Sequence, residues 1–129
     1  MAMSDYLEKA LLDHITGNAA YSAPAGIYAA LFLSDPTDAG TGTEVSTGGY
    51  SRQAVTFAAA TSGAGTSLST SAPSFSASGA AFGTVTHVAL FDAASGGNLL
   101  FHAALPSPQT VNDGDTLAFP TGNLQLSIS

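Results

Sequence analysis

Past Gly17 the apolar residues of this chain never again recur every three or four positions. They fall instead into short runs of β-branched, aromatic and alanine residues, separated by clusters of Gly, Pro, Asn, Asp and Ser. That pattern is all-β. The runs predict strands at Ile27 to Leu33, Glu44 to Ser46, Ser51 to Ala58, Thr66 to Phe75, Thr84 to Asp92, Asn98 to Leu105, Thr116 to Phe119 and Leu124 to Ile128. Strands so numerous and so closely spaced suggest a sandwich or barrel. The expected fold is mainly β: a single-domain antiparallel β-sandwich, jelly-roll-like, over residues 27–129 of a 129-residue chain.

The exception lies at the start. Ser4 reads as an N-cap, Asp5 and Glu8 occupy the first turn where the helix dipole favours anions, and Gly17 follows the last periodic residue. A helix is predicted from about Asp5 to Thr16. Leu7, Leu11 and Ile15 recur at i, i+4 and i+8, Leu12 widens the stripe toward Glu8, and Lys9 and Asp13 form an i,i+4 ion pair on the opposite face. Three turns are marginal alone. Residues 1–17 are therefore expected to be a docking helix, seated either on the chain's own sheet or on a neighbouring subunit.

Turn chemistry is explicit at Asp35-Pro36-Thr37-Asp38-Ala39-Gly40 and at Asn112-Asp113-Gly114-Asp115. The segment 59–81 holds only Leu68 and Phe75 as large apolar anchors, which predicts a weakly patterned strand flanked by mobile loops. The clearest hairpin is Thr84 to Leu105, turning through Ala93-Ala94-Ser95-Gly96-Gly97. Pairing Asp92 with Asn98 would put Val85, His87, Ala89 and Phe91 on one face with Leu99, Phe101, Ala103 and Leu105, leaving His102 on the other. His87 is then a core histidine. The competing register, slipped by one residue, sets His87 opposite His102 as a two-histidine site.

Composition narrows the function. Two cations, Lys9 and Arg52, face nine carboxylates for a formal charge of −7, so little is available to neutralise phosphates and nucleic acid is a poor partner. No apolar run approaches the length of a membrane helix, and the polar start, Met1 to Asp5, is unlike a signal peptide. A soluble, unsecreted protein is expected. Without cysteine there is neither a disulfide framework nor a thiolate metal site. Charged residues make up only 9% of the chain, against roughly 25% in an average soluble domain. Ala, Ser, Thr and Gly fill the difference, and surfaces built from them lose little rotamer entropy on burial, which suits permanent assembly.

The motifs of catalysis are missing. HExxH, GxxxxGK[ST], a strand–helix GxGxxG and a Gly-x-Ser-x-Gly elbow are all absent. A hydrolase built on His87 or His102 with Asp92 and a serine can be drawn only on paper, and His14 reads as solvated or interfacial. Asp35, Asp38 and Glu44, or Asp113 and Asp115, carry hard oxygens without EF-hand spacing. Capping and turn roles are the simpler account, and no enzyme activity, cofactor or metal is expected. Tyr6, Tyr21, Tyr28 and Tyr50 could stack on sugars. In that alternative Tyr21, Tyr50 and the loops 34–43 or 93–97 form a receptor- or glycan-binding module.

The order of segments also carries a resemblance. The helix Ser4 to His14 is followed by Ile27-Tyr28-Ala29-Ala30-Leu31-Phe32, the Asp35 to Gly40 loop, Glu44-Val45-Ser46 and Gly49-Tyr50-Ser51-Arg52-Gln53. Then come Thr86 to Ala93, Gly97 to Phe101 and Val111 to Leu117. Together they resemble the small tail-fibre-like or minor virion structural proteins of tailed bacteriophages, over nearly the whole chain. The resemblance implies a non-enzymatic virion component made in the host bacterial cytoplasm, touching copies of itself and other tail or capsid proteins. A trimer is one closed form such copies could take. A fibre-like or tail-associated subunit is expected first, a capsid decoration protein second. Candidate interface residues are Tyr6, Leu7, Leu11 and Ile15 on the helix, with Tyr50 and Arg52. As the sole arginine, Arg52 is expected to pair with a carboxylate, within the domain or across an interface.

Overall fold

The computed structural model describes residues 1–63 and 65–128. Ala64 in the expected segment 59–81 and Ser129 at the end of the expected sandwich lie outside the described residues. The elements are β1 (Ala2–Met3), α1 (Asp5–Ile15), β2 (Ile27–Phe32), β3 (Gln53–Val55), β4 (Thr66–Leu68), β5 (Ser74–Ser76), β6 (Gly83–Phe91), β7 (Leu99–Val111), β8 (Thr116–Ala118) and β9 (Gln125–Ser127). The protein is mainly β, with antiparallel sheets and one short N-terminal helix, as expected.

A five-stranded sheet in the order β1-β7-β6-β2-β3 forms one layer, and two ribbons, β4-β9 and β5-β8, form the other. The central strands explain the arrangement. Ala29 to Phe32 and Val88 to Phe91 are continuous apolar runs buried on both faces, which an edge or a one-sided strand does not need. Leu31, Val88 and Leu90 face the main core with Phe75, Phe119 and Leu124 from the ribbon side. On the opposite face Ala30, Phe32, Ala89, Phe91 and Leu99 form a second, smaller cluster.

Several expected strands change extent for local reasons. Glu44 to Ser46 reduces to a single bridge, Phe32 to Glu44, flanked by bonds from Leu33 N to Thr43 O (2.8 Å) and Val45 N to Leu31 O (3.0 Å). Thr66 to Phe75 splits into β4 and β5. Buried Ser69 turns the chain between them, its hydroxyl accepting from the amides of Gly122 (3.1 Å) and Leu124 (3.3 Å), and Pro73 has no N–H to continue a ladder. β1 has no signal in the sequence, because two residues carry no period. It pairs Ala2 with His102 and Met3 with Phe101.

The β6–β7 hairpin begins in the expected register, with Asp92 N donating to Asn98 O (3.2 Å) and Phe91 opposite Leu99. A bulge at Leu100 then shifts the pairing, so that Leu90 faces Phe101 and Ala89 faces His102. Leu100 and Phe101 both enter the main core, and His102 lands on the face of Leu99. A second irregularity sets Thr86 opposite Leu105, Pro106, Ser107 and Pro108, after which β7 continues to Val111. Val85 consequently lies in the main core rather than beside His87.

Candidate functional site

Most of the charged and aromatic side chains singled out by sequence fall into three groups, and His14 instead accepts from the Tyr21 amide (3.0 Å) beyond the helix end. The first surrounds Arg52. Its Nε and Nη2 donate to the two carboxylate oxygens of Glu44, both at 2.9 Å, and Nη1 donates to the carbonyls of Ala93 (3.0 Å) and Gly96 (2.8 Å). The guanidinium lies 3.7 Å above the centroid of Phe91 and is 8% exposed. Tyr50 completes the network, donating from its hydroxyl to Glu44 (2.7 Å) and accepting from the Leu31 amide (3.0 Å). Burial, then the hydrogen bond to Glu44, pushes the Tyr50 phenol far above its ordinary value of 10.0. Arg52 thus joins the start of β3, the Glu44 bridge and the 93–97 turn inside one chain.

The second group fixes the 34–43 loop against the sheet. His102 Nε2 lies 2.7 Å from Asp38 Oδ1, while Asp35 Oδ1 stands 3.8 Å from His102 Nδ1 and 3.9 Å from His87 Nε2. The two imidazoles share the outer face of the sheet, which corrects the expectation that His87 is a core histidine: His87 keeps the face of Ala89 and Phe91, but that face carries only the smaller cluster and leaves the ring half-buried beneath the 34–43 loop, and the bulge at Leu100 brings His102 to the same face. His87 Nδ1 is 2.8 Å from Thr86 Oγ1. Asp92, the carboxylate a triad would need, instead accepts from the amide of Asn98 (2.7 Å) and from its side chain (3.0 Å). Asp113 accepts from Gly79 N (3.0 Å), tying two loops together, and Asp115 accepts from Asn112 N (2.9 Å) within its own turn. Among the described residues no three His, Asp or Glu are grouped to hold a metal ion.

The third group is α1. Ser4 caps it, accepting from Leu7 N (3.1 Å) and donating to Leu99 O, while Lys9 pairs with Asp13. Leu7 is 5% exposed and belongs to the main core, and Leu11 packs half-buried beside it. The rest of the stripe is uncovered, with Leu12 at 62% and Ile15 at 76% exposure. Tyr6 (41%) lies elsewhere on the helix and lines, with Asp5, Asp38, Phe91 and Asn98, a cleft of about 390 Å³ between the 34–43 loop and the 93–97 turn.

A family model described as podophage GP4 fiber I protein gp80 matches residues 2–127, from β1 through the last strand. The chain belongs to this podophage fibre protein family. No curated protein matches it. Family membership makes the protein a phage structural, fibre-like component and implies a place in the virion. Among the described residues no helix of this fibre-family chain is long and apolar enough to cross a membrane.

Sequence reasoning missed the partners rather than the residues. In sequence Glu44 reads as a strand residue, a cap or a hard oxygen ligand, although it is the carboxylate that meets the sole arginine. Asp35 and Asp38 read as turn formers, and nothing in the sequence pointed to the bulge that brings His102 to them.

Proposed function

We propose that the protein is a fibre-like or tail-associated subunit of a podophage virion, acting without catalysis through contacts with copies of itself and with other virion proteins. The match to a fibre family over residues 2–127 carries this reading. The disposition of the charged groups supports it, since the side chains that could do chemistry are engaged in holding loops. Residues 1–129 act as one unit in this reading, because Leu7 of the docking helix shares a core with the sheet and both ribbons. Mass spectrometry and immunogold labelling of purified virions test it: label at the tail is expected, and label over the capsid shell would favour a decoration protein instead. Light scattering after size-exclusion chromatography, over a dilution series, is expected to show a closed oligomer such as a trimer. A monomer at every concentration would remove self-assembly from the reading.

One observation favours a second reading, a receptor- or glycan-contacting module: the loops 34–43 and 93–97 meet around the cleft lined by Tyr6 and Asn98. Tyr50 takes no part, being bonded to Glu44 and Leu31. Glycan-array binding lost on Tyr6→Ala would support this reading, and an array without signal would dispose of it.

A further inference from the structure

Asp5, Glu8, Leu12 and Ile15 form a single stripe on α1, Glu8 lying three residues from Asp5, four from Leu12 and seven from Ile15. Its C-terminal half is the most exposed apolar surface of the helix, left bare after Leu7 and Leu11 have turned to the core. Its N-terminal half carries two carboxylates for which no cation stands within ion-pairing distance among the described residues. We propose that this stripe docks a basic, apolar surface of a different virion protein, such as an amphipathic segment whose Lys or Arg residues flank its apolar face.

Charge decides between that occupant and a second copy. Each copy carries −7, its arginine is enclosed against Glu44, and its one lysine stands on the same helix beside Asp13. A second copy therefore brings like charge to Asp5 and Glu8 and a single exposed cation, Lys9, already neighboured by Asp13, to answer two carboxylates. A partner with cations beside apolar side chains answers both halves of the stripe at once, the apolar contact supplying affinity and the charges register and association rate.

The inference rests on the virion-subunit reading, and the experiment separates the two. Phage particles assembled without this chain are titrated with the purified full-length protein, and bound protein is quantified at low and at high salt. Wild type is expected to bind, more weakly as salt rises. Leu12→Ser with Ile15→Ser is expected to weaken binding at least tenfold. Asp5→Asn with Glu8→Gln is expected to weaken it and flatten the salt dependence, and Leu68→Ser, an exposed apolar control on β4, is expected to change nothing. Far-UV circular dichroism establishes that each variant is folded. Wild-type binding matched by the Leu12/Ile15 variant overturns this inference alone, as does an oligomer of the purified chain that those substitutions dissolve. Particles that do not bind wild type overturn the subunit reading and this inference with it.

Discussion

Arg52 acts as a tie between segments far apart in sequence, and its geometry explains why a lysine could not replace it. Four hydrogen bonds leave one planar group in three directions while its face rests on Phe91, an arrangement a point charge on a flexible stem cannot copy. Removing one partner of so enclosed an ion pair leaves the other uncompensated, a loss of about 2–4 kcal/mol once the partial exposure of Glu44 is discounted. Arg52→Ala and Arg52→Lys are both expected to lower the unfolding midpoint. A double-mutant cycle with Glu44→Gln in urea should give a coupling above about 1 kcal/mol, and additivity of the two substitutions would refute the tie. Tyr50 gives a complementary test in alkali. Folding holds its proton more tightly than the unfolded chain does, so the stability it contributes is complete below its ordinary value of 10.0 and drains away as pH climbs above it. Absorbance at the phenolate band should show a late component coincident with unfolding, absent in Tyr50→Phe. A Tyr50 that ionises while the near-ultraviolet dichroism of the fold is intact would contradict the burial described.

At the scale of elements, α1 depends on its first turn. Ser4 is buried, caps Leu7 and donates to the Leu99 carbonyl, so it links the helix to β7 as well as starting it. Ser4→Ala is expected to cost about 1–2 kcal/mol, read as a lower urea midpoint with an unchanged slope. No change would mean that the cap is dispensable. This helix was legible in sequence almost to the residue, because cap, dipole charges, period and terminal glycine all agree. The long strands β2 and β6 were legible too, since buried apolar runs announce themselves. What escaped were features without a local signal. The bulges at Leu100 and Thr86 are decided by packing, which favours both Leu100 and Phe101 in the core over strict alternation. The first brings His102 to His87 and Asp35, a meeting unreadable for the same reason. The expected strand stops at Leu105, whereas β7 carries Pro106 and Pro108 in an excursion and resumes to Val111.

For the whole molecule, the N-terminal segment is part of the fold. Ala2 and Met3 add an edge to the sheet and Leu7 sits in the core, so a truncation beginning at Asn18 would bare β7 along Phe101 and His102. Such a truncation is expected to unfold at markedly lower temperature than the full chain by differential scanning calorimetry. An equal midpoint would show that residues 1–17 contribute nothing to the folded core. The excursion Leu105 to Pro108 has another consequence. Beyond the short reach of β1, the outer side of β7 faces no strand among the described residues, and an open strand of that length is ordinarily a template on which foreign chains add by cross-β pairing. Two prolines in four residues strip it of two amide donors and buckle the row just where a newcomer would need it straight. A strand interrupted in this way is a poor template for a second chain, so the kink guards the open edge against cross-β pairing.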